Sequence, residues 1–373
     1  MKADVQTIAM SSPANNSHSN ETYLALVWRR LRRSWTGMMG LVLVCLLMLM
    51  VVFAEFFAPV DPKLTGTAFA PPQTISITNQ EGNLVWPRTY PLGESTALDP
   101  ITFQPISGPD YDHPVNLGFF VKGFSYNLFG LLPSDRHFFG ATDGTPVNFL
   151  GTDKFGRDVL SRIFYGSRVS LMIALTVVFI VTVVGTTVGM VSGYYGGQFD
   201  TWMQRFVELV LAFPQLPLYL ALTSLIPVTA PTNVFLGFVI IVMSALGWAQ
   251  MSREVRGKTL ALARIDYVRA AMAIGATDRR IILQHIFPNV MSHVIVSVTL
   301  AIPSVVLLES FLGFLGFAVK PPLISWGLML QDTSTYSVIG SYPWILSPVA
   351  FVLITVFAFN ALGDGLRDAV DPY

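Results

Sequence analysis

Six long apolar runs, at about 37–58, 169–191, 211–228, 234–249, 290–308 and 344–362, constrain the fold of this chain more than any other feature. A hydrocarbon core about 30 Å thick takes about 20 apolar residues per crossing helix. A backbone in that medium must also satisfy its own hydrogen bonds. The runs are continuous rather than alternating with period two, which argues against a β-barrel. The expected fold is an all-α polytopic membrane protein with six transmembrane helices. With 52% hydrophobic and only 12% charged residues among 373, the composition does not suit an ordinary soluble domain.

Charge sets the expected orientation. Arg29, Arg30, Arg32 and Arg33 precede the first run, and positive residues beside a span stay on the cytoplasmic side. The run exceeds the core of a signal peptide, about 7 to 15 residues, so it reads as an uncleaved anchor. Six crossings return the C-terminus to the cytoplasm, together with the loop 251–289. That loop carries Arg253, Arg256, Lys258, Arg264, Arg269, Arg279 and Arg280 against Glu254, Asp266 and Asp278, a second and agreeing signal. The chain then divides into a cytoplasmic tail at 1–36, a first span at 37–58, an extracytoplasmic insert at 59–150 and a membrane core at 151–373. The tail is polar and reads as disordered to about residue 20, followed by an amphipathic segment at 23–33.

The insert is too long for a plain connection and too rich in aromatics, among them Trp86, Tyr90, Phe119, Phe120, Phe138 and Phe139, for disorder. Its proline and glycine content points to a small irregular lobe. His113 and His137 lie near Asp112 and Asp135 without metal-ligand spacing and read as solvated loop residues. Cys45 is the only cysteine, so no intrachain disulfide or cysteine-based metal cluster forms. No segment matches the GxxxxGK[ST] phosphate loop, and Ser, His and Asp show no nucleophilic arrangement. No catalytic residue, metal, bound cofactor or nucleic acid partner is expected. An active process would draw its energy from another subunit.

Several segments carry organisation instead. Asp266 to Pro288 reads DYVRAAMAIGATDRRIILQHIFP. Helix formers surround Ala270 and Ala271, Gly275 permits a tight turn, Thr277 suits the N-cap of a second short helix, and Pro288 resets the chain. Residues 148–171 read NFLGTDKFGRDVLSRIFYGSRVSL, with turn-permitting Gly151 and Gly156 and with Arg157, Asp158, Arg162 and Arg168 placed to pair near the outer surface. Gly185, Gly189 and Gly193 put small residues on one helix face, where another helix can approach. Asp200 and Arg205 are local or intersubunit partners, and Pro214 and Pro217 mark a broken or kinked entry to the third span. Glu309 lies beside an apolar span, where ionisable groups face protein or water. A structural role and a substrate contact are both open for it. Gly313, Gly316 and Pro321-Pro322 after it indicate a re-entrant or short helix.

These segments resemble the motifs of one family. Residues 266–277 resemble the EAA loop of bacterial ABC importer permeases, with Arg269 in place of the first Glu. Residues 148–171, 307–327 and 360–372 resemble signatures of the C-type permease in dipeptide, oligopeptide and nickel importers. The resemblance implies a type I ABC importer permease fold in a bacterial inner membrane. It implies an ATPase-coupling segment of Asp266, Tyr267, Val268, Arg269, Ala270, Ala271, Gly275, Ala276 and Thr277. It also implies a pore or gate at Glu309, Ser310 and Gly313, and a periplasmic signature of Gly151, Thr152, Asp153, Gly156, Arg157 and Asp158. The implied partners are a second permease in a heterodimer, two ATPase domains carrying ATP and Mg, and a periplasmic substrate-binding protein. Oligopeptides rank first as cargo, oligosaccharides second and nickel third. The alternative class is an ATP-independent secondary transporter or channel, which predicts intramembrane ionisable groups or an inverted repeat.

Overall fold

Apolar runs in lipid satisfy their backbone as helices, and the long elements of this chain follow that rule. The computed structural model describes residues 23–370 apart from 79–82, 99–104, 129 and 228. The tail read as disordered and the end of the 360–372 motif lie outside the described residues. Helix α1 (Tyr23–Leu31) leads into α2 (Trp35–Val52), whose first turn is capped by Ser34 Oγ accepting from Gly37 N at 3.2 Å, and then into the short α3 (Ala54–Phe57). The insert follows, as strands β1 (Ser76–Thr78), β2 (Leu84–Thr89), β3 (Leu92–Leu98), β4 (Pro105–Pro109), β5 (Val115–Leu128) and β6 (Leu132–Ala141). Helices α4 (Val159–Tyr195), α5 (Gly197–Ala212), α6 (Gln215–Ser224), α7 (Thr232–Leu262), α8 (Asp266–Ala273), α9 (Asp278–Arg280), α10 (Phe287–Phe314), α11 (Trp326–Leu330), α12 (Tyr336–Ser341) and α13 (Ser347–Val370) complete the chain.

Five helical stretches among the described residues are long and apolar enough to cross a membrane: Trp35–Val52, Val159–Tyr195, Thr232–Leu262, Asp278–Phe314 and Pro343–Val370. The run read as a third span is a broken pair, α5 and α6, bent by 79°. The bend falls at Phe213 and Pro214, because a proline ring disfavours helical backbone in the residue before it. A second difference lies at Pro288, which does not reset the chain. Ile281–Ile286 forms a π turn in which Phe287 N–H reaches Ile282 O, so the helix runs on into α10. The wider turn absorbs a residue that brings no donor.

The insert is not irregular. Strands β1, β2, β5 and β6 form an antiparallel four-stranded sheet in the order β1-β2-β5-β6, and β3 pairs with β4. The β5–β6 register sets Leu117 opposite Ala141, Phe119 opposite Phe139 and Val121 opposite His137. Val115, Leu117, Ala141 and Val147 form its small core. His137 is also not solvated. It is 1% exposed, with Nδ1 3.1 Å from the Glu55 carbonyl and Nε2 2.9 Å from the Phe124 carbonyl. It therefore pins the sheet to α3. Beside it, Arg168 of α4 donates to the Glu55 carboxylate, with Nη2 to Oε2 at 2.6 Å. Burial raises the Glu55 carboxyl, but the Arg168 hydrogen bonds and charge outweigh it and hold it below the usual carboxylate range.

In the bundle, α4 packs along α7, α13 along α2, and α10 against both α4 and α13. The α4–α7 seam runs over the glycine series. A Cβ at Gly185 would lie 2.7 Å from Met251 Cβ, one at Gly189 2.5 Å from Ser252 O, and one at Gly193 2.9 Å from Arg256 O. At the end of this seam an ion pair joins three helices. Arg256 of α7 donates from Nε and Nη2 to the two carboxylate oxygens of Asp200 on α5, and Ser192 of α4 donates to the same carboxylate. Arg205, read from the sequence as a local or intersubunit partner, pairs locally with Glu208.

Two expectations follow from this seam. Gly189→Ala should lower the melting temperature of the detergent-solubilised protein. Gly257→Ala on α7, where an added Cβ meets nothing within 4 Å, should raise it, since Ala is favoured over Gly in a helix by about 1 kcal/mol. Arg256→Gln should cost about 3 kcal/mol by stranding a buried carboxylate. In a double-mutant cycle measured by unfolding, Asp200→Asn should recover part of that loss.

Candidate functional site

The chain leaves α7 at Leu262 and makes an elbow whose shape is fixed by its own backbone. Gly275 sits at φ +84° after α8, its N–H donates to Met272 O at 3.0 Å, and Ala276 N–H donates to Ala271 O at 3.1 Å. These two bonds form a Schellman closure, which needs a left-handed residue at the position of Gly275. An added Cβ there would meet nothing within 4 Å, so the requirement is conformational and the space beyond it is open. Thr277 stands at the N-cap of α9 with extended backbone, but its side chain makes no capping bond.

The two faces of α8 differ. Val268 is fully buried and Ala271 is 7% exposed, a spacing of three that puts both on one side. Val268 belongs to the same apolar cluster as Ile281 and Ile286 of the π turn. Asp266, Tyr267, Arg269 and Ala270 are exposed, and Ile274 is 87% exposed. The adjacent alanines therefore divide, Ala271 inward and Ala270 outward. Side-chain bonds tie the elbow to the bundle. Tyr194 Oη at the end of α4 donates to Asp278 Oδ1 at 2.8 Å, and Asn289 Nδ2 donates to Tyr267 Oη at 3.1 Å and to His285 O at 2.6 Å.

Between α4, α6, α7 and α10 lies a cavity of about 690 Å³. Its walls are mainly apolar, with Val177, Tyr219, Met243, Leu300 and Phe311 among them, and a polar cluster centred on Glu254 enters it. Gln250 Nε2 donates to Glu254 Oε1 at 2.9 Å, Ser297 Oγ donates to Glu254 Oε2 at 3.2 Å, and His293 Nε2 lies 3.7 Å from that oxygen. Sequence reasoning counted Glu254 only as a loop charge. Its signal was an acidic residue inside a helix, with Gln250 four residues before it.

Glu309 and Ser310 do not line this cavity, although Leu308 and Phe311 on the same helix do. Glu309 is fully buried and accepts from Ser170 Oγ at 2.9 Å, while Trp326 N donates to that hydroxyl at 3.1 Å. Gly313 allows the close crossing, since a Cβ there would lie 2.5 Å from Gly327 C. These residues clamp α10 and α4 to α11.

At the other end of α4, the segment from Gly151 to Asp158 folds on itself. Gly151 and Gly156 have φ of +72° and +73°. Thr152 Oγ1 donates to Thr67 O and accepts from Ala70 N, both at 2.7 Å. Asp153 accepts from Phe155 N, Arg157 N and Arg157 Nε, and lies 3.4 Å from Arg162 Nε. Asp158 caps α4 by accepting from Ser161 N at 2.7 Å, and burial pushes its carboxyl up to about 7.

Residues 185–373 match the family described as binding-protein-dependent transport system inner membrane component, and residues 22–72 match the N-terminal TM domain of oligopeptide transport permease C. The chain is 42% identical over 226 residues to the oligopeptide transport system permease protein OppC of Haemophilus influenzae, covering 60% of this chain and 70% of that one. It is 42% identical over 233 residues to OppC of Escherichia coli (strain K12), covering 62% and 74%. With the dipeptide transport system permease protein DppC of Bacillus subtilis (strain 168) it shares 38% identity over 225 residues, covering 60% and 68%. These matches, which cover the helical spans on either side of the sheet insert, place the chain in the family of binding-protein-dependent transport system inner membrane components.

Proposed function

We propose that this chain forms one half of the translocation pathway of an ATP-driven importer of short peptides, paired with a second permease. The peptide class rests on its likeness to oligopeptide and dipeptide permeases. Of two ATPase domains, carrying ATP and Mg, one docks at α8 of this chain and the other on the second permease, and a substrate-binding protein docks at the insert end. The α8 end and both termini lie in the cytoplasm and the insert in the periplasm, an orientation supported by Arg29, Arg30, Arg32 and Arg33 before α2 and by the basic residues of 251–289.

The observation that carries this reading is the two-sided α8. A helix held by Val268 and Ala271 on one face, and presenting Asp266, Tyr267, Arg269 and Ala270 on the other, has the form of a rigid docking element. Gly275, Ala276 and Thr277 set its angle to α10, so a push on α8 moves α10 and the cavity wall. No reactive group is needed in such a lever, and Arg269 contributes shape and contact rather than the charge of a Glu. Glu309, Ser310 and Gly313 act as a gate clamp that holds α10 to α11. Gly151, Thr152, Asp153, Gly156, Arg157 and Asp158 form a rigid mount for α4 at the periplasmic face.

Gly275→Asp tests the docking role, because aspartate tolerates left-handed backbone and its side chain would project into open space. The variant should insert and fold, yet lose peptide uptake and substrate-stimulated ATPase activity in reconstituted importer. Wild-type assembly and stimulation would overturn the assignment. Ala270→Leu should weaken ATPase docking without changing the thermal stability of the isolated permease. Ala271→Leu should lower that stability directly.

A further inference from the structure

The β5–β6 hairpin carries an aromatic surface that the chain leaves uncovered. Phe119, Phe120 and Phe138 are 66%, 60% and 38% exposed, and an exposed apolar patch of this kind marks an interaction site. Their rings join those of α3 and α4. Phe138 lies 5.9 Å from Phe56 and 5.4 Å from Phe57, Phe120 lies 6.0 Å from Phe56, and Phe57 lies 5.9 Å from Phe164. Of these, Phe57, Phe119, Phe138 and Phe164, together with Pro59 and Leu160, border a hollow of about 410 Å³ in which every lining side chain is apolar.

Two observations say what covers this surface. The first is continuity with the spans. Helix α3 begins two residues after α2 ends, and α2 itself exposes Val42, Leu46, Leu49 and Val52. Arg168 marks the level, because its guanidinium donates to the last carbonyls of α2, at Val51 and Val52, and to Glu55. A charged group at the end of a span stands at the height of the headgroups. The aromatic hollow is built on the same turn. The second observation is charge. Lys122 and Arg136 stand directly opposite each other across the hairpin, and both are exposed. Like charges in a cross-strand pair are destabilising unless an anion lies between or beside them. Asp135 is 3.9 Å from Lys122, and Arg136 Nη1 donates to the Phe120 carbonyl at 3.0 Å, an uncharged partner.

We propose that the β5–β6 hairpin lies on the bilayer, on the leaflet at the insert end. Phe119, Phe120 and Phe138 seat in the acyl boundary, the hollow takes the upper part of a lipid chain, and Lys122 and Arg136 face phosphate groups. Phenylalanine is among the side chains that bury at the headgroup–acyl boundary on the apolar face of elements lying in the interface. The insert is then a membrane-resting platform, and that face is not where a soluble protein docks. This inference rests on α2 and α4 being spans and is independent of the cargo.

The test uses the full importer reconstituted in phospholipid vesicles, in a Cys45→Ala background that leaves no other cysteine in this chain. Spin labels at Phe119→Cys and Phe138→Cys are read for collision with oxygen and with a water-soluble nickel chelate. Leu46→Cys and Asp143→Cys serve as lipid and water references. Oxygen collisions at 119 and 138 should exceed those of the chelate several-fold, as at 46, with the reverse at 143. Chelate access at 119 and 138 with lipid behaviour at 46 would overturn the proposal. So would exclusion of both reagents, which would mean a protein cover. Chelate access at 46 would overturn the membrane assignment itself.

Discussion

The arrangement depends on the close contact of α4 with α7, which glycine makes possible and an ion pair locks. With Gly185, Gly189 and Gly193 on the seam, side chains and backbone of α7 occupy the space that Cβ atoms would take. Without a hydrophobic drive between helices in lipid, such packing is the main source of association. The Asp200–Arg256 pair then adds α5 to the seam at its α8 end.

Such rigidity gives the elbow mechanical meaning. Helix α8 follows α7 after three residues and is returned to α10 through Gly275 and the π turn. Tyr194 ties the α4 end to Asp278. In the proposed lever a force applied at α8 reaches α10, and α10 carries Ser297, Leu300 and Phe311 of the cavity wall. Interfaces of this kind shift between discrete packings rather than deforming continuously. The clamp at Glu309 and Gly313 holds the far end of the same helix.

Features written in local sequence were legible before the fold was known. Continuous apolar runs gave the long helices, Pro214 the break before α6, and Gly275 the turn after α8. The glycine series on α4 was read as a packing face, and the contacts with Met251, Ser252 and Arg256 supply its partner. What escaped depends on residues far apart in the chain. His137 is buried because the Glu55 carbonyl, 82 positions away, meets its ring. Asp200 finds Arg256 across 56 positions, and Glu254 becomes a cavity residue only where α10 brings Ser297 and His293 to it. The sheet of the insert was hidden for another reason. Glycines at 118 and 123 and aromatics on both sides of β5 mask the alternation of Val115, Leu117 and Val121.

The central claim is that α8 is held against an ATPase. Ile274, 87% exposed at the tip of the elbow, offers the most direct measurement. In importer purified with Cys45→Ala, a single cysteine at Ile274→Cys should cross-link to the ATPase subunit through a short bifunctional reagent, with a yield that changes when ATP binds. A cysteine there that stays freely labelled by water-soluble maleimide in the assembled, ATP-hydrolysing complex, and never cross-links, would contradict the account.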